Sequence, residues 1–328
     1  MKSFVGLVVF FVMFGPLAPL PANAQTYPAK VVRILTNSAA GAPGDIMSRG
    51  TAQVLSQVFA RPFVVENRPG ADAMIAGEAC ARSAPDGYTL CLFDSLSVVL
   101  NPLIRAKMSY DPYRDFAPIM HYGYICSAIT VNPSIPANSL QELFELARAK
   151  PGTISWGSYG SSSISNMHIE WLRNAKGISF YNVPYKAASL AFAAMLAGEV
   201  NVALFSAGQS ATQVKAGKAK ALAVTRGTRC SSMPDVPTHK EAGLDISIVT
   251  SFGLYAPAGT PKDIIQRLNI EVANGIVNDL QRRDKFLTTQ GIEIEVPAGG
   301  SPEEFAAYLM AERERFVSVV KTAGVKLE

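Results

Sequence analysis

The segment from Ile34 to Gly50 constrains the fold more than any other part of the chain. It begins at the end of an apolar run that predicts a strand, Val31–Leu35, passes through the small residues Ala39–Gly44, and enters a predicted helix, Ile46–Phe59. A small-residue turn lets the backbone approach a ligand, and the free N–H groups at the helix start favour an anion. Because such turns also occur in α/β proteins that bind nothing there, the segment predicts the fold class more firmly than a site.

A second segment, Gly157–Ser165, repeats this pattern. It follows the apolar Gly152–Trp156 and precedes a helix-like stretch that begins near Asn166. Two helix starts of this kind, in separate parts of one chain, suggest a cleft that holds an acid from both sides. The alternative is two ordinary capped helices, because Ser and Asn are common N-cap residues.

The first 24 residues have the parts of a signal peptide: a charged start at Lys2, an apolar core at Phe4–Phe14, and small residues at Ala22–Ala24. We predict cleavage after Ala24 and a periplasmic location. The alternative is a membrane anchor, but the apolar core is shorter than the ~20 residues that span a bilayer. Gln25 rather than Cys follows the predicted cut, which argues against a lipid anchor.

Composition argues against several classes of function. A chain of 328 residues, 48% hydrophobic and 17% charged, can form two globular domains. The net charge of +4 is scattered, without a block of Lys and Arg, so nucleic acid is not expected as a partner. His121, His168 and His239 lie far apart in the sequence, so neither a metal nor another cofactor is expected.

Four cysteines in an exported chain can form disulfides, and the sequence does not choose among the possible pairings. Cys80 and Cys91 lie on neighbouring predicted elements, so they are our first choice of a pair. Cys126 and Cys230 are the other two.

Strands and helices alternate along the chain, which indicates a parallel sheet with its ligand site beyond the carboxyl ends of the strands. The turns Ser38–Gly44, Ala71–Met74 and Asp94–Ser97 would then share one rim. The other predicted elements include strands at Pro62–Glu66, Thr89–Phe93, Thr153–Trp156, Asn201–Phe205 and Ala221–Thr225 and helices at Met74–Arg82, Ser139–Lys150, Ser165–Ala175, Leu190–Ala197 and Lys262–Val277.

Two apolar segments predict crossings between domains. The β-rich Ile119–Val131 is expected to carry the chain to a second domain, and Thr250–Ala256 is expected to bring it back. The last predicted helix, Pro302–Ala323, should then dock on the first domain.

Short motifs follow one another in a characteristic order. They are Glu66–Ala71 (ENRPGA), Ala84–Leu90 (APDGYTL), Asp115–Ile119 (DFAPI), Val183–Lys186 (VPYK), Ala221–Thr225 (ALAVT), Pro234–Thr238 (PDVPT), Glu241–Leu244 (EAGL) and Ala256–Pro261 (APAGTP). Together they resemble the tripartite tricarboxylate transporter solute-binding family, also called TctC-like or Bug proteins, over essentially the whole mature chain.

The resemblance implies the type II periplasmic binding protein fold: two α/β lobes with a ligand cleft and a two-stranded hinge. Lobe 1 would comprise residues 25–124 plus 248–328, and lobe 2 residues 125–247. A small carboxylate would be held between the lobes without being chemically changed. The expected partners are the membrane permease subunits of a tripartite tricarboxylate-type transporter or a sensor kinase, and the protein is expected to be a monomer.

The two turns and the resemblance together predict the ligand-binding residues. In lobe 1 they are Ser38, Ala39, Ala40, Gly41, Ala42, Asp45, Ala71, Asp72, Ala73, Ser95 and Ser251. In lobe 2 they are Ser158, Tyr159, Gly160, Ser161, Ser162, Ser163, Asn166, Tyr185, Phe205 and Ser206. We expect the serines of lobe 2 to bind one carboxylate, and the backbone of lobe 1 to hold the other end, partly through water. Lys186 is expected to shape its turn rather than to pair with the ligand.

Some of these positions depart from the family pattern. Asn37 begins a pair that replaces the usual Pro-Phe, and Asn166 replaces a frequent His. Asp72 adds a negative charge that opposes a polyanion, so a monocarboxylate, an amino acid or an aromatic acid is favoured over citrate. Phe205 replaces a frequent Asp, and it could either stack on a ligand ring or form part of the core.

Two other functions compete with this reading. An exported serine hydrolase needs a Gly-x-Ser-x-Gly elbow and a His near an acid, and neither Ser158 nor Ser206 lies in such an elbow. A ligand-sensing accessory of a membrane sensor kinase, without transport, is the second alternative, and the sequence does not separate it from a transport protein.

Overall fold

The structure is a computed structural model that describes residues 27–161, 163–244, 246 and 248–325, without the side chain of Asp72. The predicted signal peptide, residues 1–24, lies outside the described residues. Among the residues described, no helix combines the length and the apolar character needed to cross a membrane.

The described chain forms two α/β lobes, each built on one sheet. The strands are β1 (Val32–Thr36), β2 (Phe63–Asn67), β3 (Thr89–Asp94), β4 (Phe116–Ile125), β5 (Ser127–Val131), β6 (Ser155–Ser158), β7 (Tyr181–Pro184), β8 (Val202–Ser206), β9 (Lys220–Val224), β10 (Ser251–Pro257) and β11 (Ile292–Glu293). The helices are α1 (Pro43–Phe59), α2 (Met74–Ala81), α3 (Asn101–Ile104), α4 (Pro112–Asp115), α5 (Leu140–Ala149), α6 (Ile164–Lys176), α7 (Ala188–Ala197), α8 (Ala207–Lys215), α9 (Lys262–Val272), α10 (Leu280–Phe286) and α11 (Pro302–Ala323).

Lobe 1 contains a six-stranded sheet in the order β11-β4-β10-β3-β1-β2. The pairs β1–β2 and β1–β3 are parallel, as predicted, but β10 runs antiparallel to both β3 and β4. The predicted parallel sheet is therefore confirmed for β1, β2 and β3, and β10 departs from it. The chain leaves this lobe along β4 and returns along β10, so these neighbouring strands point in opposite directions.

Helix α1 covers one face of the lobe 1 sheet. Its buried side chains include Met47, Thr51, Val54 and Leu55, and this three-to-four-residue spacing forms an apolar stripe along one side of the helix. Pro43 occupies its first turn, where the missing N–H of proline removes no helical hydrogen bond. The helix therefore begins three residues before the predicted Ile46.

Lobe 2 contains a five-stranded sheet in the order β7-β6-β8-β5-β9. The central strand β8 is parallel to β6 and antiparallel to β5, so this sheet is also mixed. In both lobes, strand direction changes at the strands that lead to or from the other lobe.

The passage from lobe 1 to lobe 2 is a single residue, Cys126, which lies between β4 and β5. Its N–H donates to the Gly291 carbonyl at 2.7 Å, and its carbonyl accepts from the Ala207 N–H at 2.8 Å. A disulfide joins Cys126 to Cys230, in the connection that leads back to lobe 1. A second disulfide joins Cys80 to Cys91 and confirms the first-choice pairing.

Helix α11 has the predicted bounds, and Ser301 and Glu304 form a capping box at its start. Phe305, Leu309 and Phe316 are buried on its inner face. The helix packs on β4 of lobe 1 but also on α6 of lobe 2. The expectation that it docks on the first domain is therefore incomplete, because the helix joins the two lobes.

Candidate functional site

A cleft of about 720 Å³ lies between the two lobes, within the size range of small-molecule sites. The turns Ser38–Gly44, Ala71–Met74 and Asp94–Ser97 all contribute residues to it, which confirms the predicted common rim. The predicted residues that line the cleft are Ser38, Ala39, Ala40, Gly41, Ala42, Ala71, Ala73, Tyr159, Gly160, Ser163, Tyr185 and Phe205.

The first turn is held in place by Asp45, which was predicted to contact the ligand. Asp45 is buried and does not line the cleft. Its carboxylate accepts hydrogen bonds from the Gly41 N–H at 2.9 Å, the Asn67 amide at 2.8 Å and Arg49 Nε at 3.0 Å. The Asn67 amide also donates to the Ser38 carbonyl at 2.9 Å. Asp45 therefore shapes the turn from behind.

These contacts favour the ionised form of Asp45. Burial opposes ionisation, but hydrogen bonds from Arg49, the Gly41 N–H and Asn67 outweigh it and hold the pKa of Asp45 below its ordinary value of 3.8. The turn is therefore stabilised by a carboxylate that stays charged at neutral pH.

The same geometry decides which backbone groups remain free. The Gly41 N–H is used by Asp45, and the Ala42 N–H donates to the Ala39 carbonyl at 3.1 Å. Within the described chain, the N–H groups of Ala39 and Ala40 have no partner. Ala42, the N-cap of α1, provides no side-chain cap. This rim therefore offers backbone donors to an acid.

In lobe 2, Ser163 is the N-cap of α6, and its Oγ accepts from the Asn166 N–H at 3.1 Å. Ser163 also lines the cleft, and its hydroxyl still has a proton to donate. Asn166 is used otherwise: its amide donates to the Ser161 carbonyl at 2.8 Å and accepts from the Asn182 amide at 2.9 Å. Asn166 therefore organises the loops instead of lining the cleft.

Sequence reasoning missed the start of α7. Lys186, Ala187, Ala188 and Ser189 all line the cleft, and Ala187 is an N-cap without a side-chain hydrogen bond. The predicted helix begins at Leu190, two residues after the observed start at Ala188, and Ala187 has no side chain that would mark an N-cap. The only signal in the sequence was that the VPYK motif ends immediately before it.

A polar cluster in lobe 1 was also missed as part of the site. Asn37, Asp94, Ser97 and Asn101 line the cleft where β3 ends. The Asp94 carboxylate accepts from Asn37 Nδ2 at 3.1 Å, and from the N–H and Oγ of Ser97 at 2.9 and 2.7 Å. The sequence marked this turn as part of the rim but did not single out the acid at its start.

Other predicted residues lie outside the cleft lining. Ser95 and Ser251 are buried, and Ser95 Oγ accepts from the Ser251 N–H at 3.1 Å. Ser206 donates to the Gln290 carbonyl at 2.6 Å. Ser158 is buried at the end of β6. The hydroxyls of Ser95, Ser206 and Ser251 are bonded within the fold, and Ser158 is buried away from the cleft lining.

Four predicted residues remain, of which two line another recess and two have side chains that the structure does not describe. Ser161 and Asn166 line a separate recess that includes Arg105, Glu170 and Arg173. Ser162 and the side chain of Asp72 lie outside the described part of the structure.

Phe205 belongs to the core, one of the two alternatives considered for it, and it also reaches the cleft. Its ring stacks on Phe192 with centroids 4.6 Å apart, and it also lines the cleft beside Tyr185. Phe205 therefore belongs to the lobe 2 core and presents an aromatic edge of that core to the cleft.

The lining is rich in groups that can hold a polar ligand by hydrogen bonds. Among the described lining residues there is neither a histidine nor a cysteine, and the acid beside a serine hydroxyl is Asp94, which accepts from Ser97 Oγ at 2.7 Å. What it does offer are backbone N–H groups, hydroxyls, amides and two oppositely charged side chains.

Comparison with known proteins now decides the family. The sequence model of one protein family, described as the tripartite tricarboxylate transporter family receptor, matches residues 47–324. The chain belongs to this family. A UPF0065 protein of Bordetella bronchiseptica is 30% identical over 305 residues, covering 93% of this chain and 89% of that protein.

Two solved structures agree with this assignment. One, described as a periplasmic transporter, is 32% identical with a TM-score of 0.83, covering 92% of this chain and 100% of the other. The second, an R. palustris protein solved with adipate, is 28% identical with a TM-score of 0.82 and the same coverage. The predicted periplasmic binding protein fold with two α/β lobes is therefore confirmed.

We predict that Asp45→Asn destabilises the protein at neutral pH by about 1–3 kcal/mol, because it weakens several hydrogen bonds to a buried carboxylate. The folded pKa is lowered, so this stabilisation is present above pH 3.8 and is lost as the pH falls through the folded pKa. Urea unfolding of parent and variant at about pH 7 and about pH 3 measures the gap, which should shrink at the lower pH.

Arg49→Gln is the matched control, since it removes the exposed ion pair with Asp45 and a 3.3 Å hydrogen bond to Asn67 Oδ1 but leaves the Asp45 carboxylate in place. It should cost less than about 1 kcal/mol. Equal losses in the two variants would mean that Asp45 acts through this ion pair and not by holding the turn.

Proposed function

We propose that this chain is a periplasmic receptor that captures a small carboxylate between its lobes and delivers it to the permease subunits of a tripartite tricarboxylate-type transporter. The observation that carries the proposal is the cleft, on which the starts of α1, α6 and α7 converge. Helix starts favour anions through their free N–H groups and their dipoles. Family membership and the adipate-bound relative support the same ligand class.

The acid is held by neutral donors more than by opposite charge. On the lobe 2 side, the Ser163 hydroxyl and the uncapped start of α7 at Ala187 are available to a carboxylate. On the lobe 1 side, the N–H groups of Ala39 and Ala40 are available, directly or through water. Such a site would hold the ligand through the fixed placement of its hydrogen-bond donors.

Lobe closure is the second part of the proposal. We place lobe 1 at residues 25–124 plus 248–328 and lobe 2 at 125–247, with the hinge where the chain crosses between them. The single-residue passage at Cys126 and the return into β10 support this division. The protein would act as a monomer, because one chain contributes both sides of the cleft.

A ligand-sensing accessory of a sensor kinase would need the same cleft and the same closure. The two functions differ in the membrane partner that meets the closed form. Neighbouring permease genes would favour transport, and a neighbouring kinase gene would favour sensing.

We predict that a thermal-shift screen identifies a small carboxylate that raises the melting temperature with concentration. Ser163→Ala should weaken binding of that acid by about tenfold in isothermal titration, because a hydroxyl donating to a carboxylate is lost. No response to any carboxylate would contradict the proposal.

Ser139→Ala is the matched control for Ser163→Ala. Ser139 caps α5 as Ser163 caps α6, accepting from the Glu142 N–H at 3.2 Å, but it lies outside the cleft lining. Both variants should lose about 1 kcal/mol of stability with the cap, and only Ser163→Ala should lose affinity. Equal affinities would leave Ser163 as a helix cap alone.

Export is tested separately. N-terminal sequencing of protein from a periplasmic fraction should read from Gln25, since the Ala22–Ala24 site precedes it. A chain that keeps Met1 and sediments with membranes would contradict the periplasmic assignment.

A further inference from the structure

The charged groups of the cleft lie on opposite lobes. Among the described residues that line it, Asp94 and Lys186 are the only two with formal charge. Asp94 is the last residue of β3 in lobe 1, and Lys186 lies between β7 and α7 in lobe 2. A ligand that bridges the lobes therefore meets a negative side chain on lobe 1 and a positive side chain on lobe 2.

The Asp94 carboxylate is oriented but not neutralised by the protein. Its hydrogen bonds come from Asn37 and Ser97, which are uncharged. Within the described chain, no lysine or arginine forms an ion pair with it, and Lys186 has no acidic partner. The negative charge at the end of β3 is therefore left for something that enters the cleft.

Asn37 strengthens the negative side of the cleft. Its amide nitrogen must face Asp94, because its oxygen would be repelled by the carboxylate. This orientation leaves Asn37 Oδ1 buried without a donor in the described structure. Asn37 Oδ1 lacks a donor, and the neighbouring Asp94 carboxylate lacks an ion-pair partner. Together they make this part of lobe 1 favour a cation or a strong hydrogen-bond donor.

The influence of Asp94 extends to the facing lobe. Burial, and then the nearby Asp94 charge, raise the pKa of the Tyr159 hydroxyl, which lines the lobe 2 side. A second carboxylate of a ligand placed at this end would meet the same repulsion. The opposite end, with Lys186 and the uncapped start of α7, suits a carboxylate.

We propose that the ligand is zwitterionic, with a protonated amine at the Asp94 end and a carboxylate at the Lys186 end. The proposal rests on the function proposed above and narrows its ligand class from carboxylates in general to amino acids. It also separates this chain from the R. palustris relative solved with the dicarboxylate adipate.

The test compares pairs of acids that differ only in one terminal group, which is an ammonium in one acid and a carboxylate in the other. The pairs are 3-aminopropanoate with succinate, 4-aminobutyrate with glutarate and 5-aminopentanoate with adipate, in which an ammonium replaces a carboxylate at the same chain position. Two α-amino acids, L-leucine and L-phenylalanine, are compared with the same acids lacking the amine. Dissociation constants are measured by isothermal titration at neutral pH on the full mature chain.

We expect the amine of at least one pair to bind the parent about tenfold more tightly than its partner. Asp94→Asn should remove that preference, because it replaces the charge while keeping an acceptor for Ser97. Asp284→Asn makes the same chemical change at an exposed site in α10 and should leave the preference unchanged. Melting temperatures of the free variants confirm that both are folded.

A ligand-side series keeps the test decisive if Asp94→Asn does not fold. In the parent, for the pair that binds most tightly, the amine should bind best, the hydroxy acid of the same length less tightly, and the dicarboxylate least. If dicarboxylates bind as well as their amine partners, the charge assignment fails while the proposed function stands. If no carboxylate in the wider thermal-shift screen binds, the proposed function fails and this inference fails with it.

Discussion

The structure depends on the single residue through which the chain passes from one lobe to the other. Cys126 is the only residue between the end of β4 and the start of β5, so the connection between the two sheets is very short. Its backbone is bonded to Gly291 and Ala207, and its side chain is bonded to Cys230 on the returning connection. The outgoing and returning connections are therefore tied together here, and α11 makes a further link between the lobes by packing on both β4 and α6.

The cleft is built from backbone more than from charge. Asp45 uses its charge behind the turn and leaves the N–H groups of Ala39 and Ala40 for a ligand. Lobe 2 offers a hydroxyl that already caps a helix, and a second helix start with no cap. Hydrogen-bond donors held by buried contacts lose little conformational freedom when a ligand binds, which favours affinity in a small site. In the proposed complex, Asp94 and Lys186, the two charged residues of the described lining, would orient the ligand between the lobes.

Much of the fold could be predicted because its signals are local or follow one another in order. Pro302–Ala323 was placed correctly since Ser301 and Glu304 mark its start and Gly324 marks its end. The pair Cys80–Cys91 followed from neighbouring elements. The mixed sheets could not be predicted, because alternating strands and helices do not record the direction of a strand that crosses between lobes.

The site was harder to predict than the fold. A serine in a loop gives no sign of which way it faces, and Ser95, Ser206 and Ser251 are bonded within the fold. Ala187 starts a cleft-lining helix without any capping side chain, so no local pattern marks it. Asp94 acquires its role only because tertiary structure places it beside Asn37 and opposite lobe 2.

The central claim, that the lobes close on an acid, is tested most directly by the distance between them. Spin labels on Ile75→Cys in α2 and Leu190→Cys in α7 report it, since these side chains are 49% and 50% exposed beside the two rims. The four native cysteines are paired, so labels attach only at the introduced sites. Pulsed electron spin resonance should give a shorter and narrower distance distribution with a saturating bound acid. An unchanged distribution, with binding verified in the same sample, would contradict closure.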